Sequence, residues 1–320
     1  YTGIFSILRG LGASQKCLCL TIVINVAYLL FSILFLNVWK MDILGSALAQ
    51  ILARLLGSAC ALAFLLHPGK LPIRLTPKIL LTYRRETAVS ILRVSVPFGL
   101  EQIFLYGGNI VIATMTVPLG TAAITANAIA NSLQGVITAA GQAAGTLAVT
   151  VVGQCIGRGA YRDARRYGFE SIALALGLLG ISALICYPLL PTMLTGLYTT
   201  TPTMRETVLG LLRHLLIPML LFWPISNVAP YVLRAAHDTV FPSVLSLASM
   251  WGVRIGFGYW LCFRKNLGIE GLWIAMWAEW AVRTLALSAR LLFGCWWNGS
   301  KANTQSSSSH LNKEIFQKEN

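Results

Sequence analysis

Two carboxylates stand inside long apolar runs, Glu101 in Val94 to Val117 and Glu279 in Ile269 to Phe293. An acid placed in a bilayer costs about 2.5–3.5 kcal/mol on insertion scales, so each needs a partner or a task. Glu279 has Arg283 four residues on, the favourable offset for a helical pair, and Arg254 lies on the preceding apolar run. This pattern predicts a structural ion pair of Glu279 with Arg283. Glu101 has no basic residue within a helical turn, the nearest before it being Arg93. With no local partner it reads either as a carboxyl able to exchange a proton or meet a cation, or as a structural group at the cytoplasmic end of its helix.

Amides form the other constellation. Asn127, Asn131, Gln134, Thr138 and Gln142 recur at helical spacing and fall on one stripe, which continues into Gly145. Gln102, Asn109 and Thr116 share a face of the preceding helix. Two such stripes beside one carboxylate suit a wet cavity for a large cation, with Phe104, Tyr106 and Trp223 available for ring contacts. The competing reading is plain helix packing, because small and amide residues also join transmembrane helices. No nucleotide loop, nucleophile triad or metal motif is present, and the seven cysteines include no CxxC. Neither an enzyme nor a metal or organic cofactor is expected.

These residues must be positioned by membrane helices. Only 11% of the 320 residues are charged, while 56% are hydrophobic. Soluble domains carry roughly 25% charge. So few charges cannot cover so much apolar surface, which excludes a water-soluble globule. The net charge of +14 falls in short clusters between apolar runs rather than on one solvated face, which argues against nucleic acid as a partner. About 20 apolar residues cross a bilayer. That length criterion predicts eight spans: Cys17 to Asn37, Ile43 to Leu66, Val94 to Val117, Thr121 to Ile156 as one long helix, Phe169 to Thr192, Thr207 to Tyr231, Val240 to Phe263, and Ile269 to Phe293. Pro218, Pro224 and Pro230 fall in one of them, where proline removes helical hydrogen bonds and bends the chain.

Loop charges set the orientation. Arg9, Lys16, the basic residues from Lys70 to Arg93, the Arg158 to Arg166 cluster, Arg234 and the tail lysines fall on one side, against Lys40, Arg205, Arg264 and Lys265 on the other. By the positive-inside rule both ends of this chain are cytoplasmic, in a multi-pass plasma-membrane protein. Four segments are expected: 1–66, the last third of a first lobe; 67–93, a basic cytoplasmic inter-lobe loop; 94–297, a second six-helix lobe; and 298–320, a disordered cytoplasmic tail containing the Ser306 to Ser309 run. The lobe division comes from an internal repeat. Leu8-Arg9 precedes two spans, the second opening with Gly45 and carrying Ala49, and Leu233-Arg234 repeats the plan with Gly271 and Ala275, one residue farther on. Parallel duplication of this kind is a transporter signature, and it implies roughly four helices ahead of Tyr1.

The motifs resemble those of the multidrug and toxic compound extrusion (MATE) family. They are Ile7-Leu8-Arg9 with Gly12, Gly45-Ser46-Ala47-Leu48-Ala49, Pro97-Phe98-Gly99-Leu100-Glu101-Gln102, Leu119-Gly120-Thr121-Ala122-Ala123, Ala126-Asn127-Ala128-Ile129-Ala130, Gly153-Gln154-Cys155-Ile156-Gly157 with Ala164-Arg165-Arg166, and Val232-Leu233-Arg234 with Trp251, Val253 and Arg254. The resemblance implies an all-α, two-lobe membrane bundle of which this chain holds family helices five to twelve. It further implies a monomeric antiporter that exports small cationic or amphipathic molecules against H+ or Na+. Family members commonly couple ions through carboxylates in the first and fifth helices or the seventh and tenth. Here the fifth and tenth carry none, and Leu105 stands at the deeper position of the seventh. A lipid-linked oligosaccharide flippase is a second reading, disfavoured because phosphate would call for several Arg or Lys in the cavity. A non-transporting fragment is a third.

Overall fold

The computed structural model describes residues 2–10, 14–66, 85–198 and 201–294, and among these every regular element is helical. Two compact units divide the chain at Arg93 and Val94. The first unit contains α1 (Thr2–Gly10), α2 (Ser14–Ser32) and α3 (Asp42–Leu66). The main helices that follow are α4 (Arg85–Thr116), α5 (Thr121–Gly157), α6 (Tyr161–Leu197), α7 (Pro202–Ala235), α8 (Val240–Ala248) and α9 (Gly268–Phe293). α8 does not end in solvent. It widens into π-helical turns at Ser249–Phe257 and again at Trp260–Arg264.

Local chemistry explains the boundaries. Pro118 sits in a 3-10 turn after α4, and Gly120, at φ +90°, makes the reversal into α5 that a side chain would resist. Thr201 caps α7 by accepting from the Met204 N–H at 3.4 Å, and Pro202 fills the first helical position, where no amide hydrogen is needed. The three prolines of α7 lie within one continuous helix. Thr121–Gly157 is a single helix of 37 residues, as its unbroken apolar run predicted. At 1.5 Å per residue it exceeds the roughly 30 Å of hydrocarbon thickness.

Seven of the described helices are long and apolar enough to cross a membrane. The eighth expected span, α9, is a 26-residue helix but is not among them, since it carries Glu270, Glu279, Arg283 and Arg290. Large apolar side chains point outward, Leu184 being 77% and Leu285 71% exposed, as lipid-facing surfaces require. The second unit's core has two clusters. One gathers Leu133, Ile137, Leu179, Leu212, Trp223 and Trp280; the other gathers Ala148, Val152, Val228, Val232 and Leu287.

Two expected boundaries move. Arg85 to Arg93 is helical rather than part of a loop, because a helix need not stop where the apolar run does. The Arg162 to Arg166 charges likewise sit on the first turns of α6. The rest of the inter-lobe loop, 67–84, and the tail from 298 lie outside the described residues.

The internal repeat has a backbone signature. In the first unit, π turns at Ile33–Val38 lead to Lys40 in the left-handed region and then to Gly45, where an added Cβ would meet the Phe35 Cβ at 3.1 Å. In the second, π turns at Trp260–Arg264 lead to left-handed Asn266 and then to Gly271, where it would meet the Cys262 N and Leu261 C at 2.9 Å. Lys40 stands to Gly45 as Asn266 stands to Gly271. Ala49 and Ala275 are both fully buried.

Candidate functional site

A polar line runs along α8 and into the π turns after it, where Ser243, Ser246 and Ser249 recur at one-turn spacing. Ser243 donates to Glu101 Oε2 at 2.5 Å, and Arg234 Nη2, from the last turn of α7, lies 2.6 Å from Glu101 Oε1. Ser249 donates to Glu279 Oε1 at 3.4 Å, while Arg283 Nη2 donates to Ser246 at 3.2 Å. Glu279 is held from two sides, by Arg254 Nη1 at 3.3 Å and Arg283 Nη1 at 3.4 Å. Both acids are almost completely buried. Their desolvation is offset by charged partners and hydroxyl donors together.

Next to Arg254 opens a cavity of about 250 Å3. Its lining combines Asn109, Ile112 and Ala113 of α4, Asn127 and Asn131 of α5, Arg254 of the π turns, and Leu272, Trp273 and Met276 of α9. Trp273 Nε1 donates to Asn127 Oδ1 at 3.0 Å. An indole N–H only donates, so the Asn127 oxygen must face it and the Asn127 NH2 must point elsewhere. Asn131 Nδ2 donates to the same oxygen at 3.0 Å and to the Asn127 carbonyl at 2.8 Å, which leaves the Asn131 Oδ1 as an acceptor. The cavity thus offers a guanidinium, an amide NH2 and an amide oxygen on an apolar wall.

Of the residues singled out from the sequence, Asn109, Asn127 and Asn131 come together. Gln102 and Gln134 are half-buried and Gln142 is exposed, and none lines this cavity. Thr138 is buried and donates to the Gln134 carbonyl at 3.0 Å. Farther down α5, the stripe becomes a packing seam. The Trp223 ring lies against Gly141 and the Tyr231 ring against Gly145, closer than a Cβ would allow. Trp223 is therefore a core residue rather than a cavity aromatic, and Phe104 and Tyr106 are exposed.

Glu101 requires a larger correction. Its expected lack of a partner is overturned by Arg234, which reaches it from α7. Spacing along one helix finds partners on that helix only, and so it found Arg283 for Glu279 but missed Arg234. The three serines and Trp273 were missed as well. The recurrence of serine every three residues from 243 to 249 was the available signal. Among the described residues no group of His, Cys, Asp and Glu is placed to hold a metal ion.

The profile of the MatE family matches residues 97–260, about half of the chain. The chain belongs to the MatE family. Similar curated MatE-type proteins include the probable multidrug resistance protein NorM of Neisseria meningitidis serogroup B, 27% identical over 199 residues, which cover 61% of this chain and 42% of that protein. The multidrug resistance protein NorM of Burkholderia vietnamiensis is 30% identical over 188 residues, covering 56% of this chain and 39% of its own. The chain thus spans about two fifths of the length of these relatives. A crystal structure of MATE in the straight conformation has the same fold, with a TM-score of 0.75 at 16% identity over 93% of this chain and 66% of that one. These relatives are named as drug-resistance or MATE proteins, not as enzymes. The MatE match includes Glu101, the amide stripe, Arg234, Ser243, Ser246, Ser249 and Arg254; Trp273, Glu279 and Arg283 lie beyond it.

Proposed function

We propose that this chain is part of a secondary transporter that exports small amphipathic, drug-like molecules in exchange for H+ or Na+. The observation that carries the reading is the cavity of Asn109, Asn127, Asn131 and Arg254, polar on one side and apolar on the other, among helices that carry outward apolar surfaces. Membership of the MatE family and the multidrug-resistance names of the curated relatives support it. The basic clusters support a plasma-membrane orientation with both ends of the chain cytoplasmic, and the transporter is read as a monomer. Organic cations, expected while Glu101 was read as unpaired, have no open carboxylate to meet in the described cavity, because Glu101 and Glu279 are each held by arginine.

Flux measurement with the product of the complete gene tests this reading. In vesicles loaded with a fluorescent amphipathic drug, an imposed H+ or Na+ gradient should drive export, and abolishing that gradient should stop it. Equal flux with and without both gradients would overturn the exchange mechanism; no flux of any such compound would overturn the transporter reading.

A further inference from the structure

We propose that the cavity beside Arg254 binds the carboxylate of an amphipathic substrate, so that this lobe selects for an anionic group. The proposal rests on reading the chain as part of a transporter and names the substrate class of that same site. Charge balance is the first support. Among the described residues Arg254 and Arg283 share one acid, Glu279, which leaves one positive charge in excess in that group. Among the described residues Arg254 uses only Nη1, toward Glu279, and it lines the cavity. Two of its nitrogens can therefore meet a carboxylate in the forked arrangement guanidinium favours.

The neighbouring groups agree. With the Asn127 oxygen committed to Trp273 and Asn131, its NH2 is left as a second donor to an anion. Leu272, Met276, Ile112 and the Trp273 indole supply an apolar wall for the rest of the molecule. The volume of about 250 Å3 lies below the roughly 300–1,000 Å3 of drug-sized pockets, which fits a carboxylate and its attached ring rather than a whole large ligand.

The repeat supplies an independent argument. At the spacing that pairs Gly45 with Gly271, Ala53 and Gly57 stand in α3 where α9 has Glu279 and Arg283. The preceding helix of the first unit is charge-free from Cys17 to Trp39. There Gly57 closes on Ile24, which fills the space a side chain at 57 would need. Among the described residues the shared two-helix plan is thus built once without a buried charge, since Asp42 and Arg54 of α3 are exposed. The arginines of the second unit are additional to what that two-helix plan requires, and one of them, Arg254, lines the cavity.

Benzoate, benzamide and benzylamine are nearly equal in size and differ in charge, so their binding to the purified chain in detergent decides the matter. Benzoate should bind at least about tenfold more tightly than the other two, since hydrogen bonds to a charged partner are the strong ones. Equal or tighter binding of benzylamine would overturn the proposal. Arg254→Gln should weaken benzoate about ten- to hundredfold and leave benzamide unchanged. Glu279→Gln should tighten benzoate, because the competing acid is gone. If Arg254→Gln does not fold, Arg254→Lys keeps the charge without the fork and should give an intermediate affinity; no change in either variant counts against the site. Displacement of benzoate by chloride at matching concentrations would make this an inorganic-anion site and overturn the substrate assignment. Binding is read here without flux. Absent benzoate binding alongside gradient-driven drug flux would therefore remove this inference and leave the transporter reading intact.

Discussion

At the scale of single residues, charge in this molecule is a matter of tertiary partners. Glu101 lies between Arg234 and Ser243, contributed by two other elements. Removing one member of a buried pair leaves the other uncompensated, which costs about 3–5 kcal/mol, whereas replacing both costs much less. Glu101→Gln is accordingly expected to lower the melting temperature of the purified protein, and Arg234→Gln in the same chain should recover much of the loss. Thermal unfolding in detergent, followed by tryptophan fluorescence, measures both. Additive losses in the double variant would show that the 2.6 Å contact carries no coupling.

At the scale of elements, the close approaches decide stability. Gly271 sits where α9 crosses the backbone of the second π segment, and a methyl group there would meet main-chain atoms that cannot swing aside. Gly271→Ala should therefore destabilise by about 1–3 kcal/mol, the usual cost of overpacking. Gly153, in the interior of α5, faces open space, and Gly153→Ala should stabilise by up to about 1 kcal/mol through helix propensity. Chemical-denaturant or thermal unfolding of the two variants side by side checks the opposite signs. The helices themselves were legible in the sequence, because hydropathy and length alone specify membrane spans; α5 and the repeat of Gly45 and Ala49 in Gly271 and Ala275 are the clearest cases. The site was legible in part. Asn109, Asn127 and Asn131 share faces at helical spacing, and Arg283 is local to Glu279. Arg234, Trp273 and the fate of Gln142 were not legible, since each depends on which helix lies opposite. The stripe on α5 reads as one feature in the sequence, yet it serves a cavity at Asn127 and a packing seam at Gly141.

At the scale of the whole molecule, loop charge sets direction. The arginines at the start of α6 are expected to face the cytoplasm. A single cysteine at Arg162, in a cysteine-free background, should resist an impermeant maleimide in intact cells and react after permeabilisation. Labelling in intact cells would invert the proposed topology. The π turns at Ser249–Phe257 bear on the history of the two halves. An α-helix that gains a residue while its ends stay anchored must place the surplus somewhere, and a wider turn is the least disruptive place. The stretch from Arg234 to Gly271 is one residue longer than that from Arg9 to Gly45, and α2 shows ordinary α winding up to Ser32 where α8 has already widened. An insertion after duplication would leave this mark: both anchors stay in register while the side chains between them turn to new directions. Arg254 rides on those widened turns, so on this account a single added codon would aim a charge at a cavity without moving a helix end.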